Sequence, residues 1–367
     1  MADKRVEELA RLLVQYSVNV HQGDRVVING GMLAEPLLKE IYIKVMQSGG
    51  HPLLMTSLPG MEELFYRYAS DEQLQYVPKP LELIMETYDV RISIIAASNT
   101  RELSNVAPAK VVMERKAHTG LMKTFMRRAA CGELRWTLAA YPTNAFAQDA
   151  EMGLNEYEDF IYGACLPDLH DPVGYWQRFS VYQQKIVDWL KGKERVHVTG
   201  PGTDLYLSIR DRIFSNCDGH FNMPDGEVFT GPVEDSVEGT VCFSFPAIYE
   251  GREVTGVRLW FEKGKVVKAT AEKNEDLLIK TLNTDEGSRY VGEFAIGTNG
   301  GITRFTREIL FDEKIGGTFH IALGAGYPET GSKNESAIHW DMICDLRNGG
   351  EIYVDDALLY RNGKFVI

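Results

Sequence analysis

The stretch Asp24–Leu58, DRVVINGGMLAEPLLKEIYIKVMQSGGHPLLMTSL, decides the fold. DRVVING reads as a strand, MLAEPLLKEIYIKVMQSGG as a helix closed by glycines, and HPLLMTSL as a second strand. Parallel strands need a long crossover, most often a helix, so this order predicts a βαβ unit rather than a hairpin. The pattern then continues. YDVRISIIAAS reads as a buried strand, AKVVMERKAHTGLMKTFMRRAA as a helix and LRWTLAAYP as another strand. Repetition of this kind implies an α/β domain with a mostly parallel sheet. Gly30-Gly31 sits where a phosphate could meet a helix N-terminus, but the full G-x-G-x-x-G spacing is absent. The pair therefore reads as a tight strand-to-helix turn.

Residues 155–192 keep a helical pattern rich in aromatics, and beyond Gly192 the texture changes. RVHVTGPGTDLYLSI is two short strands around a Gly-Pro-Gly turn. VCFSFPAIYEGREVTGVRLWFEKGKVVKATAE continues as short strands with glycine turns, EDLLIKTLNT as a short helix, and GEIYVDDALLYRNGKFVI as a final hairpin with an Asn-Gly turn. The expected division is an α/β domain over 1–190 and a β-rich α+β domain over 191–367. A chain of 367 residues suits about two domains.

With 44% hydrophobic and 25% charged residues, the composition is that of a soluble globular protein. The net charge of −13, from 52 acidic and 39 basic residues, argues against nucleic acid or anionic membrane as a partner. Five widely spaced cysteines with no C-x-x-C pair fit free thiols in a reducing compartment. The N-terminus has no apolar signal core; Val6, Leu9, Leu13 and Tyr16 recur at helical spacing behind Asp3 as a cap. No apolar run approaches the roughly 20 residues that span a bilayer. The expected location is the cytoplasm.

Candidate chemistry concentrates in four segments of the second half. NMPDGEVFTGPVEDSVEG carries Glu227 in a Pro/Gly-rich loop, where a solvated acid is the alternative to a ligand. RYVGEFAIGTN places Glu293 on a face with Val291 and Ala295, opposite Phe294 and Ile296. A carboxylate there must be paired or bound to a cation unless the strand is an edge facing water. TFHIALG puts His320 with Ala322 and Gly324, opposite Phe319, Ile321 and Leu323, and Glu313 precedes His320 across Gly316-Gly317. NESAIHWDMICD projects His339 and Asp341 together, with Ile338, Trp340 and Met342 on the other side. A hydrogen-bonded His–Asp pair that stiffens the strand is the alternative reading.

Together these residues form a hard-to-borderline donor set suited to zinc, cobalt, manganese or magnesium, and six candidates exceed what one structural zinc needs. Two adjacent divalent ions would lower the pKa of a water and polarise a carbonyl or phosphoryl oxygen. Lys314, Lys333 and Arg304 form no obvious phosphate cradle, which favours amide over phosphate-ester hydrolysis. An amidase or phosphoesterase, or a non-catalytic cation-binding protein, stays open on residues alone. Cys344, close to the last ligand strand, reads as a buried packing thiol, with a sensor role as the alternative.

In order and spacing, NMPDGEVFT, GEFAIG, FDEK…HIALGAGYPETG and NESAIHWDMI resemble the signature segments of the thermophilic-type metallo-aminopeptidases, the aminopeptidase T and aminopeptidase S family. The N-terminal helix, GDRVVING and the helix–Gly-Gly–strand unit are similar to that family too. The resemblance implies a dinuclear site held by Glu227, Glu293, Glu313, His320, His339 and Asp341, with Glu293 between the metals. It implies that Tyr327, in GAGYPE, assists at the substrate carbonyl. It also implies a two-domain fold, a homodimer around an internal cavity, and peptides with a free N-terminus as substrates. Two departures mark the Glu313 region: its interval to His320 is longer than in some members, and FDEK stands where many read DEN.

Overall fold

Strand Arg25–Gly31 pairs in parallel with His51–Ser57 on one side and Val90–Ile95 on the other, and helix Glu35–Gln47 connects the first two. The computed structural model describes residues 3–249 and 251–367, so Glu250 in the predicted strand–turn region and Met1 and Ala2 lie outside the described residues. Leu37, Leu38, Ile41 and Val45 are the buried stripe of the helix, at the spacing of an amphipathic helix. A Cβ on Gly30 would come within 2.7 Å of Leu38 Cδ2, so this glycine lets helix and strand pack closely. Arg135–Ala140 and the short strand Asn222–Met223 complete an all-parallel sheet of five. The long helix expected over residues 109–130 is two, Pro108–Ala117 and Thr119–Ala130, interrupted at His118 (φ −82°, ψ 1°).

The chain divides into two compact units, Met1–Tyr175 with Gly219–Pro224, and Trp176–Asp218 with Asp225–Ile367. The second unit holds an antiparallel sheet of eight strands and another of five. Its core draws on both. Val196, Val198, Leu205 and Leu207 of the larger sheet share one buried cluster with Phe294, Ile321, Trp340 and Met342 of the smaller. The expected C-terminal hairpin is instead three strands, Glu351–Val354, Ala357–Arg361 and Lys364–Phe365. The missed turn is Asp355-Asp356, where both residues take positive φ (49° and 64°), a conformation Asp tolerates better than most residues.

Candidate metal centre

The smaller sheet runs, in spatial order, His339–Asp345, Thr318–Gly324, Val291–Gly297, Glu227–Thr230 and Ser215–Cys217, all antiparallel. One face enters the core through Phe294, Ile296, Phe319, Ile321, Leu323, Trp340 and Met342. Residues directly opposite in an antiparallel pair project to the same side. The register therefore collects Glu227, Glu293, His320, His339 and Asp341 on the other face.

Across that face each candidate donor meets a small residue. Glu227 lies opposite Gly297, His320 opposite Ala295, and His339 opposite Gly324. Glu293 and Asp341 flank Ala322 from either side. The space is made by missing side chains. Glu313 arrives from outside the sheet, at the end of helix Ile309–Asp312.

Three expectations need correction. Glu227 is not a loop acid: it opens a strand and is 5% exposed. Glu293 is on no edge, since its strand is the middle one of five, and it is 4% exposed. Nor does it share a face with Val291. A register shift between Val291 and Glu293 turns Val291 into the core with Phe294 and Ile296. His320 with Ala322 and Gly324, and His339 with Asp341, project as expected from strand alternation.

The donors nearly touch. His320 Nε2 lies 3.3 Å from Glu227 Oε2 and 3.6 Å from Glu293 Oε1. His339 Nε2 lies 3.3 Å from Glu293 Oε2 and 3.5 Å from Asp341 Oδ1. Glu293 thus turns one oxygen to each imidazole. Glu227–Glu293–His320, Glu293–His339–Asp341 and Glu313–His320–Asp341 each bring their ligand atoms within 4.8 Å. His339 Nδ1 is 2.8 Å from the Ala325 carbonyl; donation there leaves the Nε2 lone pair for a ligand.

Burial and mutual charge set the titration of this cluster. Burial drives Glu227 well above the usual carboxylate range, with Glu313 and Glu293 adding to it against Lys314 and His320. Burial also works against ionised Glu293, but the imidazoles of His320 and His339 outweigh it and hold its carboxyl low. Burial opposes the charged form of His320, yet Glu293 and Glu227 raise it to about 9. The same opposition at His339 is overcome by Asp341 and Glu293, raising it to about 12. Burial, then the surrounding carboxylates, push the Tyr327 phenol up, so it stays protonated. Its ring packs on Phe229 (5.1 Å between centroids) and edge-on to His339 (5.3 Å).

The donor set fits divalent metal. Glu227 Oε2, Asp341 Oδ1 and both ring nitrogens of His320 are buried without a hydrogen-bond partner, a costly state that a coordinated cation relieves. Sequence reasoning missed three neighbours. Lys314, considered only as part of a phosphate cradle, is 0% exposed and contacts Glu313 and Glu227. Asp225 and Cys217 cluster with Glu227, and burial pushes the Cys217 thiol well up, keeping it from thiolate. Adjacency is the sequence signal for two of them: Lys314 follows Glu313, and Asp225 lies two before Glu227; Cys217 has none. Beside His339 and Asp341 a cleft of about 230 Å³ is lined by Pro246, Tyr249, Phe305 and Ile309.

A β-rich unit with carboxylates and imidazoles on one buried sheet face defines a metal-site protein. The model of the thermophilic metalloprotease (M29) family matches residues 2–365, and the chain belongs to that family. It is 27% identical to aminopeptidase T of Thermus thermophilus over 416 aligned positions, covering 99% of each. The solved structure of wild-type AmpT from Thermus thermophilus shares the fold at a TM-score of 0.87, with 24% identity and 99% of each chain covered. A 2,5-dihydroxypyridine dioxygenase from Pseudomonas putida KT2440 shares it at 0.60, with 13% identity over 98% of this chain and 96% of its own. The fold alone therefore does not assign the reaction.

Proposed function

We propose that this protein is a metallo-aminopeptidase that releases the first residue of peptides with a free N-terminus. Glu227, Glu293, Glu313, His320, His339 and Asp341 would hold two divalent ions, drawn from zinc, cobalt, manganese or magnesium. The observation that carries this is the convergence of these donors, with unpartnered buried lone pairs, in a chain of the M29 family. When bound, such ions supply Lewis acidity to a carbonyl oxygen and to the attacking water.

The chain's own residues do the rest. Glu293, with one oxygen turned to each imidazole nitrogen, would accept the proton of the attacking water and return it to the leaving amine. Tyr327, kept protonated and packed in place, donates its hydroxyl hydrogen to the developing oxyanion. The cleft beside His339 and Asp341 offers room for an apolar side chain. Five free cysteines support a reducing cytoplasmic setting, and the net charge of −13 supports a protein with no nucleic-acid or membrane partner. The family resemblance supports a homodimer, and the change of sequence texture supports residues 191–367 as the catalytic domain.

The test is metal content together with hydrolysis of leucyl- and arginyl-anilides before and after chelation. Glu293→Gln is expected to lower kcat by on the order of 10²–10⁴-fold with the fold retained. Full activity in that variant, or in the chelated protein, would overturn the assignment.

A further inference from the structure

Lys314 is a fully buried ammonium beside a proposed cation site, and its distribution of contacts is one-sided. Its Nζ contacts Glu313 Oε1 directly and lies 3.8 Å from Glu227 Oε1. With 0% exposure the side chain has no route to water. The backbone is pinned as well. Lys314 N–H donates to Phe311 O (3.0 Å), and Asn299 N–H donates to Lys314 O (3.1 Å). Asn299 is itself tied through Nδ2 to the Asp225 carbonyl (2.7 Å), on the segment that leads into Glu227.

The consequence for metal binding is unequal. Glu227 and Glu313 each have one oxygen facing Lys314, which leaves Glu227 Oε2, beside His320, as the free donor. Glu293, His339 and Asp341 form the other group; Asp341 also lies near Glu313 and His320, but Lys314 is within ion-pair distance of none of the three. We propose that Lys314 makes the two metal positions inequivalent: an ion at Glu293–His339–Asp341 is held tightly, and one at Glu227–Glu293–His320, whose Glu227 faces the ammonium, weakly and exchangeably. This rests on the metal-site reading above and concerns how the site fills. A divalent cation a few ångströms from an ammonium is weakened by on the order of tenfold or more, even at the dielectric of water.

The experiment titrates Co²⁺ into chelator-stripped full-length protein, following binding by calorimetry and by the cobalt absorption bands. Wild type is expected to bind two ions in separate steps, the second at least about tenfold weaker. In Lys314→Met the second step should tighten by about tenfold or more, and by more than the first. Lys314→Gln, which keeps a polar end, is the second variant should the first not fold. Thermal melts of each cobalt-loaded protein establish that it does. Two equal steps in wild type, or a second step unchanged in both folded variants, overturns the proposal and leaves the metalloprotease reading standing. Absence of any cobalt binding in folded wild type overturns both.

Discussion

Asp285 carries no chemistry, yet it ties down the segment just before the His339 strand. Its carboxylate accepts from Ser288 N (2.9 Å), Ser288 Oγ (2.8 Å), Ser336 Oγ (2.7 Å) and Ala337 N (2.6 Å). Burial would raise its pKa, but the bonds from Ala337, Ser336 and Ser288 outweigh that and leave it lowered. The sign follows. A folded-state pKa below the unfolded value stabilises at pH above the unfolded pKa and is lost as pH falls through the folded one. Asp285→Asn should therefore melt below wild type at neutral pH, and the gap should start to close near about pH 4 and vanish as pH falls through the lowered folded-state value. A constant gap across that range would show that charge on Asp285 contributes nothing.

At the scale of elements, the H-x-D pair and the His320 strand were legible because strand alternation is a local rule. What joins them was not. Register between strands far apart in sequence decides that Ala322 lies between Glu293 and Asp341, and nothing local to either segment encodes it. The shift near Gly292 likewise escapes a strict period of two and sent Val291 to the wrong face. The burial of Lys314 was not legible because lysine is almost never buried unless paired, and one of its two partners, Glu227, lies on a strand far away in sequence. The register carries its own prediction. Ala322→Val fills the gap between two donors, so metal affinity should fall by on the order of tenfold or more, against about 1–3 kcal/mol of stability for overpacking. Titration calorimetry and a melting curve separate the two effects. Unchanged metal affinity in the folded variant would mean that the gap is not where the ion sits.

At the scale of the whole chain, the parallel sheet was readable from Asp24–Leu58 because one repeated unit specifies it. The candidate centre belongs to the second unit, where it crowds Glu227, Glu293, Glu313 and Asp341 with two imidazoles and one ammonium. Removing bound cations should therefore weaken the fold as well as the activity. Chelated protein should melt at a lower temperature, and restoring the ion at 100 times its Kd should return about 2.7 kcal/mol. Identical melts with and without chelator would argue that metal contributes nothing to the native state.

The rim position of strand His339–Asp345 has a consequence for assembly during synthesis. A chain leaving the ribosome presents Glu227, Glu293, Glu313 and His320 well before His339 and Asp341. The earlier donors are all synthesised before His339–Asp345, the last strand of this sheet to be made. That last strand docks on one neighbour, Thr318–Gly324, and carries two donors at once. Its arrival closes the chelate in a single late event, so a chain stalled before residue 339 would offer a half-built cup with little hold on a cation.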